Sequence, residues 1–131
     1  MQALLDGGLP ISAPIAAGIG DSIALAQLLP QANDDERHAA FSMAVINGQL
    51  DAARLCLAAG ASVDRFLLVH KHSLAVHQAA ADDDVPMLQL LVEHGARLDI
   101  RDTLWNATPL GWAIHTKKPG AEAYLRSVMA P

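Results

Sequence analysis

Basic residues are missing from the first 36 positions of this chain of 131 residues, which also has a single cysteine and only 4% aromatic residues. A secretory signal peptide opens with positive charge before its apolar stretch, so we expect none here. The lone Cys56 cannot form an internal disulfide, and its place between Leu55 and Leu57 favours a packed small hydrophobe over a reactive thiol. These features predict a reducing, cytoplasmic location.

Long apolar runs and basic stripes are also missing. The apolar run at 15–19 is far shorter than the ~20 residues of a membrane-spanning helix. The formal net charge is −5, and neither half of the chain has the clustered cations that a nucleic-acid backbone requires. We therefore expect no membrane span and no nucleic-acid partner. With 52% apolar and 18% charged residues, the chain should fold, and its alanines and leucines favour close-packed helices.

Two stretches of the chain align with each other without a gap. The first runs from Ala39 to Asp64 and the second from Leu74 to Asp99, so their starts are 35 residues apart. A third copy opens at Thr108, 34 residues further on. Self-similarity at a period of roughly 20–50 residues is typical of stacked repeats, in which each unit buries its apolar face against a neighbour.

Each copy predicts two short helices separated by a turn. In the first copy, Asn47-Gly48 ends the first helix and Gly60 ends the second. In the second copy, Asp82–Asp84 forms the turn and Gly95 ends the second helix.

The flanking segments follow the same plan. Thr108 is a suitable N-cap for the third copy, with Pro109 as its first helical residue. A weaker copy spans 12–29 with a Gly20-Asp21 turn, and Asn33 is placed to cap a lengthened helix whose first turn is acidic.

These repeats resemble the ankyrin repeat family, whose unit reads approximately TPLHxAA, then a glycine turn, then LLxxGAxxN. Thr108-Pro109-Leu110 matches the opening, and HQAA at 77–80 matches the next part. The close of the unit is matched by LLVEHGA at 90–96 and by LCLAAGASVD at 55–64. Two departures stand out: AAFS at 39–42 replaces TPLH, and Gly111 stands where the family has histidine.

The resemblance implies a mainly α, ankyrin-type α-solenoid of about three to four helix-turn-helix repeats with short β-hairpin fingers. We expect one domain over 1–131, with a degenerate repeat at about 5–38 and further repeats at about 39–73, 74–107 and 108–131. The resemblance also implies a protein–protein interaction module that binds through its fingers and concave face, without catalytic apparatus.

Histidines and aspartates raise the alternative of a metal site. His70, His72 and His77 fit no zinc pattern of two close ligand pairs, and Asp82–Asp84 lacks the alternating oxygen ligands and the glycine turn of a calcium loop. We favour solvated finger residues for the first two histidines, and helix capping for the acids over recognition of a basic patch. His77 falls at the family's structural histidine, which bonds backbone between repeats. No metal or cofactor is predicted.

Catalytic motifs are missing as well. The serines have no GxSxG elbow, and Gly18-Ile19-Gly20 lacks the preceding strand and third glycine of a phosphate loop. We therefore predict a protein that is not an enzyme.

Aromatic and arginine side chains on exposed fingers have the composition of binding hot spots. The alternative for Phe66 and Trp105 is packing against a neighbouring finger, and for Trp112 it is coverage of nearby alanines. The predicted partner-binding residues are Arg65, Phe66, His70, His72, Asp82, Asp83, Arg101, Leu104, Trp105, Trp112 and His115.

The predicted partner is another protein, which the sequence does not identify. A regulatory alternative is an inhibitor or antitoxin-like subunit that covers an enzyme. Apolar residues also crowd the N-terminal edge, where a solenoid needs a polar cap, and they predict a homo-oligomer. These are Ile11, Ala13, Ile15, Ala16, Ile19, Ile23 and Leu25.

Overall fold

The computed structural model of this chain describes residues 12–67 and 71–129, which form α-helices and no β-strand. The helices are α1 (Ala13–Ile19), α2 (Ser22–Leu28), α3 (Asp34–Ile46), α4 (Leu50–Ala58), α5 (Ala75–Ala81), α6 (Val85–Glu93), α7 (Pro109–His115) and α8 (Pro119–Met129). A short 3₁₀ helix, Leu29–Gln31, follows α2. Within the described residues, α1 contacts α2, α3 contacts α4, α5 contacts α6 and α7 contacts α8, so successive helices form helix-turn-helix pairs.

The chain divides into two compact units, Met1–Ser62 and Val63–Pro131. In the first unit, α1 packs on α3 and α2 packs on α4, so two helix pairs lie side by side in register. The Gln49 side chain ties the pairs together by donating to the carbonyl of Gly18 at 3.3 Å. Asn33 caps α3 by accepting from the N–H of Glu36 at 2.8 Å, as predicted.

Small side chains fill much of the first unit's core. Ala16, Ala17, Phe41 and Cys56 are fully buried, and the alanines let the helix backbones approach closely. Burial raises the pKa of the Cys56 thiol from 9.0 to about 12, so the thiolate form is strongly disfavoured. The prediction that this cysteine packs as a small hydrophobe is confirmed.

The second unit repeats the arrangement with larger side chains. Helix α5 packs on α7 and α6 packs on α8. Its core includes Leu74, Leu88, Leu91 and Leu125, each with no more than 1% of its surface exposed. Thr108 caps α7 by accepting from the N–H of Gly111, with Pro109 in the first turn, as predicted.

The Asp82–Asp84 corner serves helix termini. Asp84 caps α6 by accepting from the N–H of Met87 at 3.2 Å. Asp83 adopts φ +55° and accepts from the N–H of Ala121 in the first turn of α8 at 2.7 Å. The corner thus caps its own repeat and the next one, as the capping interpretation expects.

The helical part of the prediction is confirmed, and its finer features are not. Gly60 and Gly95 follow α4 and α6 in the left-handed region, at φ +106° and +85°, as predicted helix stops should. The expected β-hairpin fingers are not confirmed, because the described residues between α4 and α5 and between α6 and α7 form loops without strands. The solenoid and the single domain remain predictions. Ile11, the expected beginning of the degenerate repeat and His70 lie outside the described residues.

Among the described residues, none of the helices combines the length and the apolar character needed to cross a membrane.

Candidate partner-binding site

Asp102 organises the loop between α6 and α7. Its carboxylate accepts hydrogen bonds from the backbone N–H groups of Leu104, Trp105 and Ala107 at 3.0, 2.7 and 2.8 Å. The Trp112 indole N–H on α7 donates a fourth bond at 3.0 Å. Because these bonds fix both the loop backbone and its position against α7, residues 101–107 form a defined structure without a strand. We refer to this segment as the 101–107 loop.

The charge of Asp102 is compensated although its side chain is fully buried. Burial alone would raise the pKa of this carboxyl group. The hydrogen bonds from the Trp112 indole and from the N–H groups of Trp105, Ala107 and Leu104 outweigh burial and lower the pKa from 3.8 to about 2. The group is therefore a carboxylate at neutral pH, with four N–H donors directed at it.

Two further contacts close the 101–107 loop. The Arg101 guanidinium donates to the carbonyl of Asn106 at 2.9 Å, and Asn106 itself has φ +53°. The N–H of Asp102 also donates to the carbonyl of Ala107 at 2.9 Å. Asparagine tolerates the left-handed region better than most residues, so its place at the tight end of the loop is physically sensible.

Both tryptophans of the chain meet beside this loop. The rings of Trp105 and Trp112 are 4.9 Å apart at 53°, and His72 stacks on Trp112 at 5.8 Å and meets the edge of Trp105 at 5.9 Å. The Nδ1 atom of His72 lies 3.8 Å from the Asp102 carboxylate. We call His72, Asp102, Trp105 and Trp112 the indole cluster.

His77 fastens the cluster to α5. Its Nδ1 accepts from the N–H of Leu74 at 3.0 Å, so its Nε2 carries the proton and faces the carbonyls of Ile100 and Ala107, each at 3.0 Å. The ring also tilts against Trp112 at 5.5 Å. Burial lowers the pKa of this imidazole, against the opposing effect of the two carbonyls. His77 thus has the structural, backbone-bonding place that the resemblance implies.

A cleft of about 350 Å³ opens next to the cluster. Trp112 is only 7% exposed and forms part of its lining, whereas Trp105 is 61% exposed. The remaining lining residues are Ala107, Gly111, His115 and Thr116. Leu104, next to Trp105 at the tip of the loop, is 60% exposed. The site therefore combines an exposed apolar tip with a shallow aromatic cleft.

Six of the predicted partner-binding residues lie in this region, and the other described ones lie elsewhere. His72, Arg101, Leu104, Trp105, Trp112 and His115 belong to the loop, the cluster or the cleft. Asp82 and Asp83 belong to the helix corner, where Asp82 accepts from the Gln78 amide at 3.0 Å. Arg65 and the 39%-exposed Phe66 lie on the loop before α5, next to the buried Leu67.

Two interpretations of side chains need adjustment. His72 was expected to be a solvated finger residue, but 70% of its side-chain surface is covered, because the two indoles pack against it. Trp105 and Trp112 pack on one another and border the cleft together, so packing and availability to a partner do not exclude each other here.

Asp102 did not appear in the predicted set at all. Its signal is an aspartate two residues before Leu104, in the position of an Asx turn.

Metal-ligating side chains do not converge within the described residues: no group of three or more histidine, cysteine, aspartate or glutamate side chains is placed to hold an ion.

Comparison with known proteins finds one family model that matches part of this chain. No curated protein matches the chain. The profile of the ankyrin repeat family matches residues 72–103, a segment that runs from His72 through α5 and α6 to the start of the 101–107 loop. Ankyrin repeats generally serve as protein–protein interaction modules. The resemblance read from the sequence is thus confirmed, and residues 72–103 match an ankyrin repeat.

Proposed function

We propose that this chain is a protein-interaction module that binds a partner protein through the tip of the 101–107 loop and the adjoining cleft. The observation that supports this proposal is a pair of large apolar side chains, Leu104 and Trp105, that are each about 60% exposed. They lie on a loop whose backbone is fixed by hydrogen bonds to a buried carboxylate. Exposed aromatic and aliphatic anchors of this kind are frequent among binding hot spots.

Rigidity of the loop favours this function energetically. A flexible loop loses conformational entropy when a partner orders it, and that loss subtracts from affinity. Here Asp102 and Arg101 fix the loop before any partner arrives. The tip can therefore present Leu104 and Trp105 without that loss.

Affinity capture from the native cell extract tests the proposal. The bait is the full chain, and the test variant carries Leu104→Ala and Trp105→Ala. The matched control carries Val128→Ala and Met129→Ala on α8, two apolar residues that are 40% and 44% exposed outside the loop. We expect a captured protein to be lost, with at least about a tenfold drop in recovery, in the loop variant and retained in the control.

Retention of every captured protein by the loop variant would overturn this assignment of the surface. The identity of the protein that the loop variant fails to capture also decides between two narrower functions. An enzyme inhibited by the chain would make this protein a regulatory subunit, whereas a protein without such inhibition would make it an adaptor. The buried thiol of Cys56 is compatible with the cytoplasmic location that the sequence predicts.

We propose in addition that the first unit associates with a second copy of the chain. Ile15, Ile19 and Ile23 are 43%, 57% and 77% exposed on α1 and α2. The first two lie one helical turn apart and share a face of α1. Neighbouring exposed isoleucines favour burial against a partner surface.

A further inference from the structure

Three exposed cations are sequence neighbours of residues in the indole cluster or the cleft. Within the described residues, Arg37, Arg54, Arg97 and Arg126 each pair with an aspartate or glutamate. Lys71, Arg101 and Lys117 form no such pair within the same residues, and all three are exposed. The second unit thus has three exposed cations that form no ion pair within the described residues.

Each of these cations directly precedes or follows a residue of the indole cluster or the cleft in the sequence. Lys71 precedes His72, whose carbonyl accepts from the N–H of Thr103 in the 101–107 loop at 2.9 Å. The Arg101 guanidinium contacts the carbonyl of Asn106, which lies between the cleft residues Trp105 and Ala107. Lys117 directly follows Thr116, another cleft residue.

The carboxylates of Asp102 and Asp82 are both hydrogen-bonded within the chain. Asp102 is fully buried and already accepts four N–H donors, so it offers no free acceptor to a ligand. Asp82, at the end of α5, shares its carboxylate with the Gln78 amide. The segments that carry the cleft and the indole cluster thus also carry Lys71, Arg101 and Lys117.

We propose that the cleft binds an acidic peptide segment in which a bulky apolar side chain is flanked by aspartate or glutamate. The apolar side chain would rest on the two indoles, and the flanking carboxylates would face the three cations. The volume of about 350 Å³ suits one or two side chains rather than a whole helix. The inference rests on the proposed function, because it names the chemistry of the partner segment for the same surface.

Random peptide display on the full chain tests this directly, since it needs no known partner. We expect the enriched peptides to share an aromatic or aliphatic residue flanked by acids. One enriched peptide and its analogue with every acid replaced by the corresponding amide are then synthesised. Binding of a peptide that contains no tryptophan is followed by tryptophan fluorescence, which reports on this site alone because both tryptophans of the chain belong to the cluster. The amide analogue should bind about tenfold more weakly, and the difference should shrink in high salt.

Gly111 supplies a variant that fills the cleft. A Cβ atom at this position would lie 3.4 Å from the Ala107 Cβ and 3.5 Å from the Thr108 hydroxyl, which are ordinary contacts, so a side chain can be added here. Gly111→Leu should therefore weaken binding at least about tenfold. The matched control Ala123→Leu adds the same side chain at an exposed position of α8 that does not line the cleft, and it should bind within about twofold of the wild type. Circular dichroism checks that both variants are folded, and Lys117→Glu should weaken binding without filling the cleft.

Enrichment of neutral or basic peptides, or no enrichment, overturns the inference. Equal affinity for the acidic peptide and its amide analogue does so as well, as does unchanged binding to the folded Gly111→Leu and Lys117→Glu variants. None of these results touches the proposed function, which depends on loss of a captured protein when Leu104 and Trp105 are truncated. The two failures are therefore distinguishable.

Discussion

At the scale of single residues, Asp102 determines how the candidate site is built. Asp102→Asn replaces one acceptor oxygen with an amide N–H₂ group that faces donors instead of accepting from them. We expect the free energy of unfolding at pH 7 to fall by about 2–3 kcal/mol, because charge-assisted bonds are lost and buried donors are left unsatisfied. Urea denaturation followed by circular dichroism measures the change. Asp51→Asn, at an exposed acid, is the control and should shift stability by less than about 0.5 kcal/mol.

The same carboxylate should contribute to acid unfolding. Its pKa in the folded chain is about 2, below the ordinary 3.8, so the folded state releases this proton more readily than the unfolded state. The stabilisation is therefore complete above about pH 4 and is lost as the pH falls from 3.8 towards 2. Urea denaturation between pH 5 and 2 should show a smaller loss of stability in Asp102→Asn than in the wild type. Parallel curves for the two proteins would contradict this account.

His77 should give a second pH dependence in a different range. Burial lowers its pKa from the ordinary 6.5, so the unfolded state binds this proton more tightly. Its contribution is fully present above pH 6.5 and is lost as the pH falls below that value. Protonation would also place a proton on Nδ1 against the N–H of Leu74. Stability measured between pH 7.5 and 5 should fall less steeply in His77→Gln than in the wild type, although this variant starts from a lower value. An equally steep fall would show that other groups cause it.

The sequence indicates the structural role of His77 but not that of Asp102, and the difference has a physical reason. The histidine falls at the place of the ankyrin family's structural histidine, so its role follows from the resemblance. The aspartate lies in a connecting loop, and its importance comes from donors on the loop and from the Trp112 indole, ten residues further on. The sequence does not show that this carboxylate is buried or that α7 supplies its fourth donor.

At the scale of elements, the turn between α5 and α6 stabilises a helix in the next repeat. Asp83 combines a left-handed backbone with a hydrogen bond to the first turn of α8. Asp83→Ala removes the cap and strains the backbone, so we expect a loss of about 1–2 kcal/mol. Asp83→Asn keeps an acceptor and tolerates the left-handed region, so it should lose clearly less. Thermal unfolding of both variants gives the comparison, and equal losses would rule out capping as the cause.

Gly120 makes this cap possible. A Cβ atom at position 120 would lie 3.0 Å from the Asp83 carboxylate oxygen and 3.4 Å from Val85. The absence of a side chain lets the acid reach the N–H of Ala121. The pair shows why repeats in series are more stable than repeats alone: a side chain in one unit satisfies the backbone of another.

Helices of this chain could be predicted from sequence, and the loops between them could not. Helix α7 follows its predicted cap at Thr108, and the lengthened α3 follows its predicted cap at Asn33. Caps, stops and apolar spacing are local signals that the sequence carries directly. The conformation of the 101–107 loop depends instead on contacts with α5 and α7. Where a hairpin was expected, hydrogen bonds to the Asp102 carboxylate hold the loop.

At the scale of the whole molecule, the two proposed binding surfaces belong to different units. Ile15, Ile19 and Ile23 and the acids that precede Arg37 belong to the first unit. The cleft belongs to the second unit, as do Lys71, Arg101 and Lys117, which form no ion pair within the described residues. A molecule with two such surfaces can associate with a second copy through one and bind a partner through the other. Mutation of one surface should then leave the other function intact.

Self-association through the first unit gives the corresponding test. The triple variant Ile15→Ser, Ile19→Ser and Ile23→Ser should remain folded, because all three side chains are at least 43% exposed. In sedimentation equilibrium, the wild-type mass should rise towards that of a dimer with concentration, because association removes the isoleucines from water. The variant should stay monomeric, and the Leu104→Ala, Trp105→Ala variant should associate like the wild type. A wild-type chain that remains monomeric across a wide concentration range would contradict the proposed association, because the exposed isoleucines would then have no second copy to pack against.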